Sequence, residues 1–347
     1  MKRRTFLSGA GSAGAIALAG CIGDSSNRSD DTLTVATYSS FVGDDSAGNW
    51  LKSAFEDEHD ATVEFEVPEN GVSQFIQRKS EGAPIEADMY VGLNTVELVR
   101  ADEQLDERLF ATADVEGADS VKSRLNFDPE DRAVPYDTGF ISIVYDEGEV
   151  DNPGTFDALL EPAYENALIA QNAQQSDPGR AFLLWTIHQK DADGYLDYWT
   201  DLSDNGVRIL SDWVPAYDAY TNEEAPMVVS YSTDQVYNHG EGVDMSRHQV
   251  GFLEDQGYEN PEGMAQFADA DSAELAREFM SFMLTTEAQR EIAVRNVQFP
   301  AVSGVEPGGD FGEYALEPPE PVSFSYDELA GNVGGWIEDW AREIVSN

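Results

Sequence analysis

An α/β fold arranged as two lobes is predicted by three features of the sequence. Strand-like and helix-like segments alternate from residue 32 onward. The longest strand pattern, residues 137–146, falls after about 100 residues of that alternation, and a second round follows it. Such succession packs as a sheet with helices on both faces, and 347 residues are enough for two units of this kind.

Thr32-Leu33-Thr34-Val35-Ala36-Thr37 alternates with β-branched residues and predicts the first strand. Residues 50–58 read as a helix with Leu51, Ala54 and Phe55 on one face, followed by a strand over 62–67. A helix over 72–79, a short strand over 88–91 and a helix over 95–100 complete the first round. After the long strand come a helix at 155–160, a strand at 168–171, and helices at 178–190 and 195–202. A strand at 207–210, a helix at 214–220 and a strand at 227–231 close the second round. The sequence does not repeat, but the architecture does.

In the last third, Ala276, Phe279, Met280, Met283 and Leu284 form an apolar stripe at helical spacing. Thr286-Glu287-Ala288-Gln289 has the capping-box pattern of a further helix, as does Ser325-Tyr326-Asp327-Glu328 before a last helix carrying Trp336 and Trp340. The four-residue spacing of those two rings reads as packing, not as a site.

Composition excludes several function classes. There are 67 Asp and Glu against 20 Lys and Arg, a formal charge of −47, and such a surface repels nucleic acid. The acids are spread along the chain rather than gathered in a tail, and only five bases are Lys. That is the pattern of a salt-adapted surface and predicts a halophile's protein, held compact by screening. With 17 Phe, 14 Tyr and 6 Trp the chain has material for a real core.

The N-terminus reads as a leader over residues 1–21. Arg3-Arg4-Thr5-Phe6-Leu7 has the twin-arginine export pattern, followed by a small and apolar run too short to span a bilayer. Leu18-Ala19-Gly20-Cys21 resembles a lipobox, and Cys21 is the only cysteine, which predicts lipidation at that thiol. Residues 22–31 form a polar tether. The expected location is the outer face of the cell membrane.

Enzyme signals are missing. The four His have neither metal-ligand spacing nor a Cys partner, and no nucleophile elbow, dinucleotide fingerprint or phosphate loop occurs. No metal or cofactor is expected. Aromatic residues, by contrast, gather at the carboxyl ends of strands: Tyr38 after the first, Tyr231 at the end of the 227–231 strand with Tyr237 in the next turn, and Trp213 just before a helix. In open α/β sheets ligands bind outside these strand ends, although each ring taken alone serves equally well as loop packing. Ser176-Asp177-Pro178-Gly179-Arg180 opens a helix whose free amides suit an anion, or are simply capped. Gly71, in Asn70-Gly71-Val72, is a turn that lets backbone approach a ligand.

Taken together, these segments resemble the thiamine-binding protein family, the extracytoplasmic solute receptors of thiamine ABC transporters. The likeness runs from Thr32 to the C-terminal helix and is carried by Thr37-Tyr38-Ser39-Ser40-Phe41, Glu69-Asn70-Gly71-Val72-Ser73 and Asp88-Met89-Tyr90-Val91-Gly92-Leu93. Val134-Pro135-Tyr136-Asp137-Thr138-Gly139-Phe140, Pro178-Gly179-Arg180-Ala181-Phe182-Leu183-Leu184-Trp185 and Ser230-Tyr231-Ser232-Thr233-Asp234-Gln235-Val236-Tyr237 continue it. The resemblance implies a two-lobed type II periplasmic binding protein fold closing on ligand around hinge strands. The expected lobes are 32–135 with 248–300, and 136–247 with 301–347. It further implies that Tyr38, Trp213, Tyr231 and Tyr237 stack the ligand's rings, that Asn70, Gly71 and Ser176 hold its polar tail, and that a permease and an ATPase are partners. Aromatic faces attract a fixed thiazolium charge by about 0.5–2 kcal/mol each when desolvated.

Three positions depart from the family's pattern. Val297 stands in place of a tryptophan, a second tryptophan is missing from Phe41-Val42-Gly43-Asp44-Asp45, and Arg180 stands where an apolar residue is usual. The choice among thiamine, its monophosphate and its pyrophosphate therefore stays open. Two alternatives differ in ligand or class. One is a ferric-ion or other small-solute receptor, against which Tyr231 is followed by Ser232 rather than a second tyrosine. The other is an exported hydrolase, for which no nucleophile–base pair is found.

Overall fold

The computed structural model describes residues 31–345. The leader, Cys21 and all of the tether except Asp31 lie outside the described residues. The strands are β1 (Thr32–Ala36), β2 (Thr62–Glu66), β3 (Met89–Leu93), β4 (Ala133–Tyr145), β5 (Leu168–Gln171), β6 (Arg208–Leu210), β7 (Met227–Tyr231), β8 (Gln249–Gly251), β9 (Gln256–Gln266), β10 (Phe299–Pro300) and β11 (Glu320–Val322). The helices are α1 (Ala47–Glu58), α2 (Val72–Ser80), α3 (Thr95–Gln104), α4 (Asp177–Asp204), α5 (Trp213–Thr221), α6 (Asp234–Tyr237), α7 (Ala273–Met283), α8 (Thr286–Asn296), α9 (Gly309–Tyr314), α10 (Tyr326–Leu329) and α11 (Val333–Trp340).

The strand order is β2-β1-β3-β9-β4-β7-β5-β6. At one end β1 pairs in parallel with β2 and β3; at the other β5 pairs in parallel with β6 and β7. The same three-stranded arrangement thus occurs twice. Between the copies run β9 and β4, antiparallel to each other and to their outer neighbours. Carboxyl ends of both parallel sets are where a ligand is received in such sheets.

Side-chain alternation explains why each set is covered on both faces. Leu33 and Val35 of β1, with Met89 and Val91 of β3, enter one core with Phe279, Met280 and Met283 of α7. Ala36, Tyr90 and Leu93 enter another with Phe75 of α2 and Leu98 of α3. In the second lobe Leu168, Ala170, Met227 and Val229 meet Trp185 and Trp199 of α4 and Trp340 of α11, while Ile169 and Val228 face Ala216 and Tyr220 of α5. Trp340 is fully buried, edge-on to Trp199 at 5.3 Å, so the C-terminal tryptophan pattern is packing.

β4 is buried along its whole length. Its first half (Val134, Tyr136) belongs to the first lobe's core, and its second half (Ile141, Ile143) to the second's. β9 runs the other way, from Tyr258 in the second lobe's core to Met264 in the first. These are the crossing strands. Leu253 and Tyr258, which the expected boundary at 248 assigns to the first lobe, lie in the second lobe's core.

Three local expectations are corrected, and one long strand is added. Residues 155–160 form only a 3-10 turn over Ala158–Leu160. The two helices expected at 178–190 and 195–202 run on as α4, with Asp191 at φ 60° as the break. α8 is capped by Thr285, whose hydroxyl accepts from Ala288 N, one residue before the expected box. β9 was not anticipated, because Gly257, Pro261 and Gly263 read as turn residues. At 325–328 the capping box is present in both halves.

Candidate functional site

A cleft of about 1170 Å³ opens across the carboxyl ends of both parallel sets, larger than the roughly 300–1,000 Å³ of a closed small-molecule pocket. Tyr38, Asn70, Gly71, Trp213 and Tyr231 all line it. The first three come from the ends of β1 and β2, the last two from the ends of β6 and β7. Tyr38 and Tyr231, 193 positions apart in sequence, are brought together because both halves present the same strand ends to one space.

Tyr38 and Tyr231 are each seated on a glycine. A Cβ at Gly92 would lie 2.6 Å from the Tyr38 ring, and one at Gly139 would lie 2.8 Å from the Tyr231 ring. Gly92 sits at φ +101°, where β3 shifts register against β9, a conformation that glycine adopts without steric cost. That bulge also turns Leu93 to the opposite face from Val91. Trp213 stacks on Tyr217 at 4.9 Å and 20°, and its Nε1 donates to Ser230 Oγ (3.0 Å). Tyr217 is held in turn by its hydroxyl, which donates to the buried Asp234 carboxylate, and Asp234 pairs with His248 Nδ1 at 2.8 Å. Burial and the Asp234 charge keep the Tyr217 phenol protonated well above its ordinary range.

Gly71, at φ +52°, begins α2 and allows the chain to turn into the cleft beside Tyr90 and Glu97. The remaining two expected residues are placed elsewhere. Ser176 is 1 % exposed and caps α4, its Oγ accepting from Gly179 N at 3.5 Å. It is not among the lining residues; its neighbours Gln174, Gln175 and Asp177 are. Tyr237 ends the single turn of α6, is 63 % exposed and does not line the cleft either.

Of the other lining residues, Arg180 stood out in the sequence as a departure from the family pattern, whereas Glu97, Arg100 and Glu262 carried no signal. Glu97 belongs to the capping box of α3 and is pushed up to about 8, first by burial and then by the Asp177 charge. Arg180 is only 8 % exposed, donates to Asp177, and leaves Nε without a partner. Arg100 and Tyr90 complete this mixed-charge wall. Glu262, from β9, lies at the base of Tyr38 and accepts from its hydroxyl at 2.8 Å. With 67 acids in the chain, nothing in the sequence distinguishes Glu97 or Glu262 from the rest.

The departures from the expected aromatic set are also placed. Val297 is buried beside Phe140 and Phe299 in a left-handed turn (φ 55°) that ends α8, and does not line the cleft. Trp50 stacks on Phe282 at 6.4 Å within the first lobe's core, as its own helix's packing residue. Among the described residues, no group of three or more His, Cys, Asp or Glu is placed to hold a metal ion.

Comparison with known proteins fits this geometry. The family described as bacterial extracellular solute-binding protein matches residues 87–321. The thiamine-binding periplasmic protein of Escherichia coli K12 is 30 % identical over 313 residues, covering 90 % of this chain and 93 % of that one. Its counterpart in Haemophilus influenzae is 26 % identical over 323 residues, covering 92 % and 94 %. Among solved structures, a periplasmic thiamin binding protein superposes with a TM-score of 0.79 at 28 % identity, covering 90 % of this chain and 96 % of that one. The ferric binding protein from Campylobacter jejuni reaches 0.75 at 15 % identity over 90 % and 99 %, which shows the shared fold. The chain belongs to the bacterial extracellular solute-binding protein family, among the thiamine-binding periplasmic proteins, and has the two-lobed type II fold and solute-binding role of that family.

Proposed function

We propose that this protein captures thiamine, or its mono- or pyrophosphate, in the interlobe cleft and delivers it to an ABC importer. The observation that carries this reading is the cleft itself, with Tyr38 supplied by one lobe and Trp213 and Tyr231 by the other. A ligand lying on Tyr38 and meeting the other two rings draws the lobes together, so binding and closure are one event. A flat cation suits such a site, because each ring face attracts positive charge once water is excluded. Asn70 and Gly71 on one side, and the amides and glutamines opening α4 on the other, serve the hydroxyl or phosphate tail. Ser176 acts there through the cap that orients those amides.

The lobes we propose are 32–136 with 264–300, and 141–258 with 301–345, hinged on the middle of β4 and of β9. The proposed location is the outer face of the cell membrane, with a lipid on Cys21. The twin-arginine-like leader and polar tether support it, and a thioether-linked diacylglycerol on an N-terminal peptide, found by mass spectrometry, is the test. The ligand is tested by titration calorimetry of the purified protein in molar potassium chloride with thiamine, its two phosphates and ferric citrate in turn. Dissociation constants of about a micromolar or tighter for a thiamine compound are expected. Heat from ferric citrate alone would replace thiamine with iron as the cargo.

A further inference from the structure

Beneath the cleft, two carboxylates share one hydrogen-bonded cluster that no base touches. Glu262 accepts hydrogen bonds from the hydroxyls of Tyr136 (2.6 Å) and Tyr38 (2.8 Å) on the same oxygen, Oε2. Asp137, fully buried on β4, accepts from Asn296 Nδ2 on Oδ2 at 2.7 Å, and its Oδ1 has no hydrogen-bond partner. The same Asn296 amide donates to Tyr38 OH at 2.9 Å, linking the two acids through the ring that forms the cleft wall. Among the described residues, the ion pairs of Lys, Arg and His all involve other carboxylates.

Arg100 and Arg180 line the same cleft, Arg180 paired to Asp177, but the groups that act directly on the pair, from each surrounding element, carry no positive charge. They are the phenols of Tyr38 after β1, Tyr90 on β3, Tyr136 on β4 and Tyr231 on β7, the Asn296 amide on α8, and the Asp177 carboxylate at the start of α4. Burial, together with the Glu262 charge, pushes Asp137 far above the usual carboxylate range. Burial likewise raises Glu262, against the two tyrosine hydroxyls that favour its ionised form. A buried carboxylate without a counter-charge is costly and takes up a proton instead.

We propose that Glu262, backed by Asp137, is the counter-charge for a cationic ring in this cleft and selects such a ring over a neutral one of the same shape. This rests on the thiamine reading and names the group that reads the ligand's charge. A quaternary nitrogen donates no hydrogen bond, so only opposite charge and ring faces recognise it. Glu262 opens onto the cleft beside the Tyr38 ring and supplies the first, while Tyr38 supplies the second. Once a cation arrives, the proton held by the acid pair in the empty cleft leaves for solvent. Binding therefore releases protons, and affinity rises with pH over the range in which the pair titrates.

The test is titration calorimetry of the full chain with thiamine and with its thiophene analogue, in which a ring carbon replaces the quaternary nitrogen. Each titration is run at about pH 6 and about pH 8, in two buffers of different ionisation enthalpy to count released protons. The unaltered protein is expected to prefer thiamine by about tenfold or more, with the preference widening toward the higher pH. Glu262→Gln is expected to lose about tenfold for thiamine while holding the analogue within about twofold, whereas Glu262→Asp keeps the preference. Asp137→Asn, which preserves shape and the Asn296 contact, is expected to reduce the proton count. Equal loss of both ligands in Glu262→Gln, or an unchanged proton count in Asp137→Asn, overturns the proposal. Equal binding of both ligands by the unaltered protein overturns it while leaving the thiamine reading in place. Binding of neither ligand overturns that reading and the proposal with it.

Discussion

The rings of this cleft work through what holds them. Trp213→Ala removes a face and exposes Tyr217, and is expected to weaken thiamine binding by more than twofold, since an aromatic pair contributes about 0.5–1.5 kcal/mol beyond its area. An affinity unchanged in calorimetry would take Trp213 out of the site. Gly92→Ala tests the seat of Tyr38 rather than the ring. Its Cβ would lie 2.6 Å from that ring on a backbone at φ +101°, so Tyr38 must move off Glu262. A loss of affinity of about two- to tenfold is expected, with a destabilisation of about 1–3 kcal/mol from the strained backbone. Unchanged affinity in a folded variant would show that ring placement tolerates the shift. At this scale the sequence marked Tyr38, Trp213 and Tyr231, because each follows or ends a strand where α/β sheets receive ligands. It could not mark Gly92, Gly139 or Glu262. A glycine in a strand does not announce what rests on it, and one acid among 67 has no distinguishing neighbour. Tyr237 lies six residues beyond its strand, against three for Trp213, and a single helical turn leaves it facing water.

Among the elements, the strands read most faithfully were those whose two faces both meet a core, since continuous β-branched and apolar runs have no other use. β9 escaped because its pairing partners, not its residues, make it a strand: β11 holds Gly257, β4 holds Pro261, and β3 and β4 together hold Gly263, in ladder positions they would not seek alone. Where β4 begins, Arg132 is 2 % exposed and is gripped by Asp102 (2.7 and 2.8 Å) and by Asp128 (2.9 Å), while Tyr326 of α10 donates to Asp102 at 2.7 Å. This ties α3, the approach to β4 and the C-terminal segment into one unit. Arg132→Met would leave Asp128 buried without its partner and is expected to cost about 3–5 kcal/mol in denaturant unfolding. The pH dependence has a definite sign. Burial alone would raise Asp128, but the Arg132 guanidinium and backbone amides overcome it and hold it below the ordinary carboxylate range. Its contribution is therefore present above the unfolded pKa and is lost as pH falls through the lower, folded one. The gap between Arg132→Met and the unaltered protein should shrink in acid; a gap that stays constant down to about pH 3 would mean that Asp128 draws no stability from Arg132.

For the molecule as a whole, two-lobed duplication was legible from the spacing of elements alone, because the same order of one strand between two parallel partners recurs on either side of the crossing pair. The net charge of −47 is a property of this scale too. Twenty bases cannot neutralise 67 acids, and several bases are already committed within the fold, as Arg132 and Arg180 are. Unpaired surface carboxylates then repel one another over a distance set by the medium, about 30 Å at 0.01 M salt and about 3 Å at 1 M. In dilute buffer that repulsion spans a lobe and favours expansion; in molar salt it does not reach beyond the nearest neighbour. The midpoint of thermal unfolding is accordingly expected to rise steeply between about 0.01 M and about 1 M potassium chloride, where screening is completed, and more slowly above it. Sucrose at matched osmolality separates the causes, because it strengthens burial by exclusion without screening charge. A rise with chloride that sucrose does not reproduce assigns the effect to the acidic surface. Equal midpoints in dilute and molar salt would mean that the carboxylates are far enough apart to coexist unscreened, and that the acidic composition serves something other than compactness in brine.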